Sequence, residues 1–277
     1  MGERLNLESK IGVSALLLVI DVGNTNIVVG VYREEVLEHH WRLRTLRDET
    51  EDEIGLHIKS LLADGGLRLD DIDDVIISSV VPPLMPAFER MCQRYFGQPP
   101  MIVSADLVPS LPILYDTPRD VGADRLVDAV AAIEEYGYPL IIVDLGTANT
   151  FSVIDEKGQY LGGVIMPGIQ ISTEALFQRA AKLPRIELVK PPSVIGQNTV
   201  HAMQSGMIFG SIGQVDGIIK RIREELPLPY RVVATGGISE LVCSESEWID
   251  VVDPLLTLKG LRHIWKMNSG NNREGEK

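Results

Sequence analysis

Three aspartates, each within two residues of a glycine, mark where this sequence could do chemistry. Asp21 ends the apolar run Leu16 to Ile20. After it come Val22, Gly23 and the short polar side chains of Asn24, Thr25 and Asn26, before a second apolar run opens at Ile27 and Val28. A carboxylate at a strand end, a glycine that permits a sharp reversal, and a row of backbone and side-chain donors suit phosphates and a cation. The same residues also fit an ordinary hairpin with a polar turn. Asp144 repeats the arrangement. Ile142-Val143-Asp144-Leu145-Gly146 overlays Val19-Ile20-Asp21-Val22-Gly23 in hydrophobicity, carboxylate and glycine, and Thr147, Ala148, Asn149 and Thr150 follow. A repeated strand–Asp–Gly turn in separate halves of one chain suggests a duplicated domain.

Asp124 closes a different run, YDTPRDVGADR from Tyr115 to Arg125, at the entry to the apolar helical segment Leu126 to Tyr136. It reads equally as a helix cap, typically contributing about 1 kcal/mol, with Arg125 as a surface charge. The alternative is a base that takes the proton of a substrate alcohol as that alcohol attacks a γ-phosphate. Phosphoryl transfer depends mostly on alignment and charge neutralisation, so one modest base suffices. A further glycine turn, Ala234-Thr235-Gly236-Gly237, lets a flat base or ribose approach the backbone. The chain has no G-x-x-x-x-G-K-[ST], no G-x-G-x-x-G after a strand and no G-x-S-x-G. P-loop kinases are thereby excluded, and dinucleotide enzymes and esterases lack their fingerprints. Two phosphate-handling turns and a nucleoside platform make ATP the leading ligand.

These residues need elements to position them. The continuous apolar runs at 16–20 and 140–143 read as buried strands. The first half reads as a hairpin from Leu16 to Tyr32, a third strand over Val36 to Thr45, a helix opened by the Thr50/Glu53 capping box, a strand at Val75 to Val81, a helix from Pro82-Pro83 to about Phe96, and a strand at Pro100 to Ser104. The second half repeats the order. It has strands at Leu140–Asp144, Thr150–Asp155 and Tyr160–Met166, a helix from Ile169 to about Ala181, a long glycine-spaced helix from Thr199 to about Glu225, a strand at Arg231–Ala234, a strand at Trp248–Val252 and a closing helix over Leu255–Asn268. The fold expected is α/β, with duplicated ribonuclease-H-like (actin-like) lobes, each a mixed sheet with flanking helices, and an ATP cleft between them. The lobes are expected over 16–125 and 126–268, with flexible ends at 1–15 and 269–277.

Composition sets the outer limits. A formal charge of −13 over 277 residues argues against nucleic-acid and anionic-membrane partners, so a phosphate ligand must rely on amides and metal ions rather than a basic patch. Cys92 and Cys243 have no metal-ligand or redox spacing, which fits a reducing compartment and a cytoplasmic protein. No apolar run reaches membrane-spanning length, and the segment before Asp21 has no cleavage-site pattern. His39 and His40 are neighbours in a strand and point to opposite faces, which disfavours a shared metal.

Taken together, DVGNTN, YDTPRDVGADR, DLGTANT, GGVIMPGIQIS (Gly162 to Ser172), NTVHAMQSG and ATGG resemble, in order and over about Leu16 to Asn268, the type III pantothenate kinases. The resemblance implies transfer of the ATP γ-phosphate to the primary hydroxyl of pantothenate, the first step of coenzyme A synthesis. It further implies a homodimer, a divalent cation with ATP, and a monovalent cation, potassium or ammonium. By it, Asp21, Val22, Gly23, Asn24, Thr25, Asn26, Ile27 and Val28 would bind ATP phosphates, Asp21 holding magnesium through water. Thr147 would be a second ATP contact, Asp144 the monovalent-cation ligand, and Asp124 the proton acceptor. Tyr115, Gly122, Ala123, Asp124 and Arg125 would bind pantothenate, Arg125 taking its carboxylate, and Thr199 would reach it from the partner subunit. Two positions depart from the family's pattern: Asn149 replaces a threonine and Ser152 an aspartate. A non-catalytic regulator of the same fold and another small-molecule kinase are the competing readings. Retention of all three aspartates disfavours the first, and the YDTPRDVGADR run disfavours the second.

Overall fold

In the computed structural model, which describes residues 15–272, the first apolar run is strand β1 (Leu16–Val22). Every β1 residue but Asp21 is buried, which is why its sequence is apolar without alternation. β2 (Asn26–Arg33) returns antiparallel with Asp21 opposite Val28, and β3 (Val36–Arg44) pairs with β2 as an edge strand of exposed and half-buried residues. Helix α1 (Glu51–Asp64) starts at the expected capping box: the Thr50 amide donates to Glu53 Oε2 at 2.8 Å, and the Glu53 amide donates to Thr50 Oγ1 at 3.4 Å. β4 (Ile72–Ser79) runs parallel to β1. Pro82–Leu84 then forms a 3-10 turn, so α2 (Met85–Tyr95) begins three residues later than the proline pair suggests. β5 (Met101–Ile102) completes a sheet of order β3-β2-β1-β4-β5. One face of that sheet packs Leu18, Ile20 and Ile77 with Ile58 and Leu62 of α1 and Phe88 and Met91 of α2.

The second unit opens with α3 (Ala123–Tyr136), followed by β6 (Leu140–Leu145), β7 (Ala148–Ile154) and β8 (Tyr160–Pro167). Then come α4 (Ile169–Arg179), the 27-residue α5 (Thr199–Glu225), β9 (Arg231–Thr235), α6 (Ser239–Cys243), β10 (Val251–Val252) and α7 (Leu256–Asn272). Its sheet, β10-β9-β6-β7-β8, has the strand order of the first, with two antiparallel pairings on one side of β6 and parallel pairings on the other. Ile141, Val143 and Phe151 pack with Ile208, Ile212, Val215 and Ile219 of α5. Helices α3 and α7 approach closely at Gly260, where a Cβ would lie 2.1 Å from the Val127 carbonyl oxygen.

The chain divides into two compact units between Val103 and Ser104, and residues 104–125 lie in the second. Backbone pairing explains this. The Leu114 amide donates to the Tyr160 carbonyl and the Tyr160 amide to that of Pro112, both at 2.8 Å, while Asn268 Nδ2 of α7 donates to the Leu107 carbonyl at 3.0 Å. The last strand is shorter than expected, Val251–Val252 rather than Trp248–Val252; Trp248 and Ile249 are half-buried against the apolar core outside the strand. Helix α7 continues past Asn268 to Asn272, and Ser269 Oγ donates to the Trp265 carbonyl at 2.7 Å. Of the ends expected to be flexible, 1–15 and 269–277, residues 1–14 and 273–277 lie outside the described residues.

Candidate functional site

In the first unit, Asp21 is half-buried near the end of β1, in register with Val28 on β2 and Ser78 on β4. Residues in register on parallel strands share a face, which puts the Ser78 side chain on the side of Asp21. Ser78 is fully buried, and its hydroxyl has no hydrogen-bond partner. The turn itself is built from the backbone. The Gly23 amide donates to Asn26 O (3.0 Å), the Thr45 amide to Thr25 O (3.0 Å) and Thr45 Oγ1 to Gly23 O (2.6 Å), while Arg47 Nη2 donates to Asn24 Oδ1 (3.2 Å). Asn24 and Thr25 are exposed. Val22 and Ile27 point into the apolar core, so only their backbone is available to a ligand.

In the second unit, Asp124 is the second residue of α3 and Gly122 the residue at its N-terminal cap, with no side-chain cap. Asp124 Oδ1 instead accepts from the next amide, Arg125 N, at 2.8 Å. Burial pushes its carboxyl above the ordinary range, against the pull of the Arg125 amide and guanidinium. Asp144, half-buried near the end of β6, is raised further, to about 7, first by loss of water and then by the negative charge of Asp124. The two carboxylates are thus electrostatic neighbours in a desolvated place, and they titrate as a pair.

Glycines shape the walls around Asp144. At Gly236 (φ +97°) a Cβ would stand 2.5 Å from Leu145 O and 2.6 Å from Asp144 Oδ1. At Gly168 it would stand 2.3 Å from Gly146 O and 2.6 Å from Thr147 O, and the Gly168 amide donates to Thr147 O at 3.0 Å. Gly236 therefore backs onto the Asp144 turn, a close approach its place in ATGG did not reveal.

Arg125, the surface charge of the bland reading, is only 6% exposed. Its guanidinium carbon lies 5.9 Å from the centre of the Tyr115 ring and 5.6 Å from that of Tyr160. Its Nε has no hydrogen-bond partner, and no ion pair to it occurs within 4 Å among the described residues. A buried cation with no ion pair within 4 Å, faced by two aromatic rings, is a ready anion site. Tyr160 was not foreseen as part of it. The only signal was its place just before Gly162-Gly163, where glycines in a strand mark a bulge or a close approach.

Thr199 is exposed in the first turn of α5, where Asn198 Oδ1 accepts from His201 N at 2.9 Å. It lines a groove of about 580 Å³ with Leu176, Leu183, Met203 and Met207, and no lining residue belongs to the Asp124 cluster. Asn149 is buried with Oδ1 unpartnered, and Ser152 is buried against the Tyr160 hydroxyl. Among the described residues no three His, Cys, Asp or Glu side chains gather as a metal cluster, and no helix is long and apolar enough to cross a membrane. Cys92 and Cys243 are free thiols pushed up to about 12 by burial, which leaves them protonated and unreactive.

The sequence model of the family described as type III pantothenate kinase matches residues 17–221. The chain belongs to the type III pantothenate kinase family. Among its relatives, a type III pantothenate kinase of Halalkalibacterium halodurans is 56% identical over 253 residues, covering 91% of this chain and all of the relative. One from Geobacillus kaustophilus is 56% identical over 254 residues, covering 92% and 98%. Among solved structures, component A of the (R)-2-hydroxyglutaryl-CoA dehydratase of Acidaminococcus fermentans superposes with a TM-score of 0.57 at 12% identity, covering 93% of this chain and 100% of that one. The activator of the 2-hydroxyisocaproyl-CoA dehydratase of Clostridium difficile, with bound ADPNP, gives 0.54 at 12%, covering 95% and 98%. At such identity these last two show the fold alone, the duplicated actin-like arrangement of mixed sheets with flanking helices.

Proposed function

We propose that this chain phosphorylates the primary hydroxyl of pantothenate with ATP, giving 4'-phosphopantothenate in the cytoplasm as the first step of coenzyme A synthesis. Family membership supports the reaction. The observation that carries the reading is the adjacent pair Asp124 and Arg125: a carboxylate made more basic by burial, next to a caged cation held in no ion pair within 4 Å. The substrate asks for those two things, a proton acceptor for its alcohol and a fixed cation for its carboxylate. In this reading Asp124 accepts the hydroxyl proton, while Arg125 and the half-buried Tyr115 orient the acid end. Gly122 and Ala123 offer the backbone at the start of α3, where a partial positive charge favours anions.

ATP phosphates are assigned to the Asp21–Val28 turn and, as a second contact, to Thr147. Magnesium would be held by Asp21 through water. One half-buried carboxylate suits an ion that keeps several waters and binds substrate phosphates rather than a protein cage. Bound there, it would neutralise phosphate charge. A potassium or ammonium ion is assigned to Asp144. The half-buried carboxylate of Asp144 near the end of β6 supplies the hard oxygen ligand that such a cation prefers.

Thr199 is assigned to the pantothenate of a partner subunit in a homodimer. Support comes from exposed Val194, Ile195 and Val200 around it, and from Gly206, Gly210 and Gly213 of α5, where a Cβ would meet nothing within 4 Å. The test is ATP consumption with and without pantothenate, in potassium-containing and potassium-free buffer. Pantothenate-dependent turnover stimulated by potassium is expected. Its absence with every cation tried would end the reading.

A further inference from the structure

The Arg125 cage has a back wall that no assignment above uses. Tyr160, at the start of β8, is fully buried, and its hydroxyl lies 3.2 Å from Ser152 Oγ on β7, itself 3% exposed. The backbone here is doubly tied. Tyr160 exchanges amide and carbonyl bonds with Pro112 and Leu114, and Ile113 bridges it in parallel register. The strand bearing one ring is thereby joined to the segment bearing the other, Tyr115. The Tyr115 ring in turn rests on Gly162, whose absent Cβ would lie 3.6 Å from it. Gly162 sits at φ +131° beside a register shift in the β7–β8 pairing, a bulge that makes the flat seat.

A guanidinium accepts a carboxylate best through two parallel N–H bonds, so the plane of the fork matters as much as its charge. Arg125 Nε makes no hydrogen bond that would set this plane. The two rings are what remains to set it. A ring can fix a plane only if its own tilt is fixed. Tyr160 has one polar contact for that purpose, the bond to Ser152.

We infer that Ser152 and Tyr160 are positioning residues for Arg125: their hydrogen bond holds the Tyr160 ring, and the ring holds the guanidinium in the plane in which the substrate carboxylate docks. The inference rests on the reading of Arg125 as the pantothenate carboxylate site. Fixing the fork before the substrate arrives lowers the ordering cost of binding, so the effect falls on KM rather than on the chemical step.

The experiment compares pantothenate with pantothenol, its uncharged alcohol counterpart, as substrate or competing ligand. Tyr160→Phe keeps the ring and deletes the hydroxyl, and Ser152→Ala deletes the other partner. Each should raise KM for pantothenate roughly threefold to tenfold, as expected for one lost hydrogen bond. Turnover at saturation, KM for ATP and the constant for pantothenol should stay within about twofold. The double variant should be no worse than either single one, since both remove the same bond. Unchanged KM for pantothenate in both variants, or equal weakening toward both ligands, would overturn the inference. Arg125→Gln separates the two layers. If it weakens pantothenate far more than pantothenol while Tyr160→Phe does not discriminate, only the positioning role falls. If it weakens both alike, the carboxylate assignment falls and the positioning role with it.

Discussion

In the β1–β2 turn, Thr45 takes up two backbone carbonyls and leaves Asn24 and Thr25 facing solvent. In the β6–β7 turn, Gly236 and Gly168 bring further backbone against the carbonyls of Leu145, Gly146 and Thr147, and a second carboxylate, Asp124, stands within electrostatic reach. The two turns share strand order, register and the Asp–x–Gly spacing, and differ in what closes them. Duplicated scaffolds therefore need not yield duplicated sites. An open turn with exposed polar side chains suits a large polyanion. A crowded turn walled by carbonyls and carboxylates suits small cations and protons.

The largest break in that comparison is expected from Asp124. Asp124→Asn should lower turnover by roughly 10²–10⁴-fold while leaving the melting temperature and ATP affinity near those of the parent. Activity near the parent level would return Asp124 to the role of a favourable charge in the first turn of α3. The next largest effect separates the turns by their glycines. Gly236→Ala puts a side chain at φ +97° and against two oxygens, and should cost about 1–3 kcal/mol in denaturant unfolding along with cation activation. Gly23→Ala meets only Asn26 O at 3.0 Å and has no left-handed φ, so about 1 kcal/mol or less is expected. Equal losses would mean that the turns are closed alike after all.

The smallest effect is one of sign. The Asp144 carboxyl is raised to about 7 in the fold and returns to about 3.9 on unfolding, so between those values the folded chain holds a proton that the unfolded chain lacks. Its contribution to stability must then fall as pH rises from 4 to 7. Asp144→Asn, with no proton to lose, should melt higher than the parent at pH 8 without monovalent cation, by roughly 3–6 °C for 1–2 kcal/mol, and match it near pH 4. Calorimetry at the two pH values decides it, and a lower melting temperature at pH 8 would mean that the charge is compensated within the fold.

Much of this was legible in the sequence because it was local. The repeated apolar run with Asp–x–Gly, the Thr50/Glu53 capping box and the 27 residues of α5 each carry their signal within one stretch of chain. What escaped was set by distant partners. Residues 104–122 have no periodicity, and what ties them to the second unit is hydrogen bonding to β8 and α7 rather than any pattern of their own. Arg125 reads as a surface charge until Tyr115 and Tyr160 close over it, and Tyr160 is 35 positions away. Gly236 reads as a platform for a flat ligand until the fold brings it onto Asp144. Even the Pro82–Leu84 turn shifted the start of α2, because a 3-10 turn and an α-helix open with the same residues.

The caged arginine also divides the second unit into fixed and adjustable charge. A guanidinium keeps its proton at every pH at which a protein stays folded. An acid docked on Arg125 would meet a cation whose own charge does not titrate. The carboxyl of Asp144, raised to about 7, exchanges its proton near neutrality, and burial raises that of Asp124 as well. Mild acidification would then put a proton on Asp144 while leaving the charge of Arg125 in place.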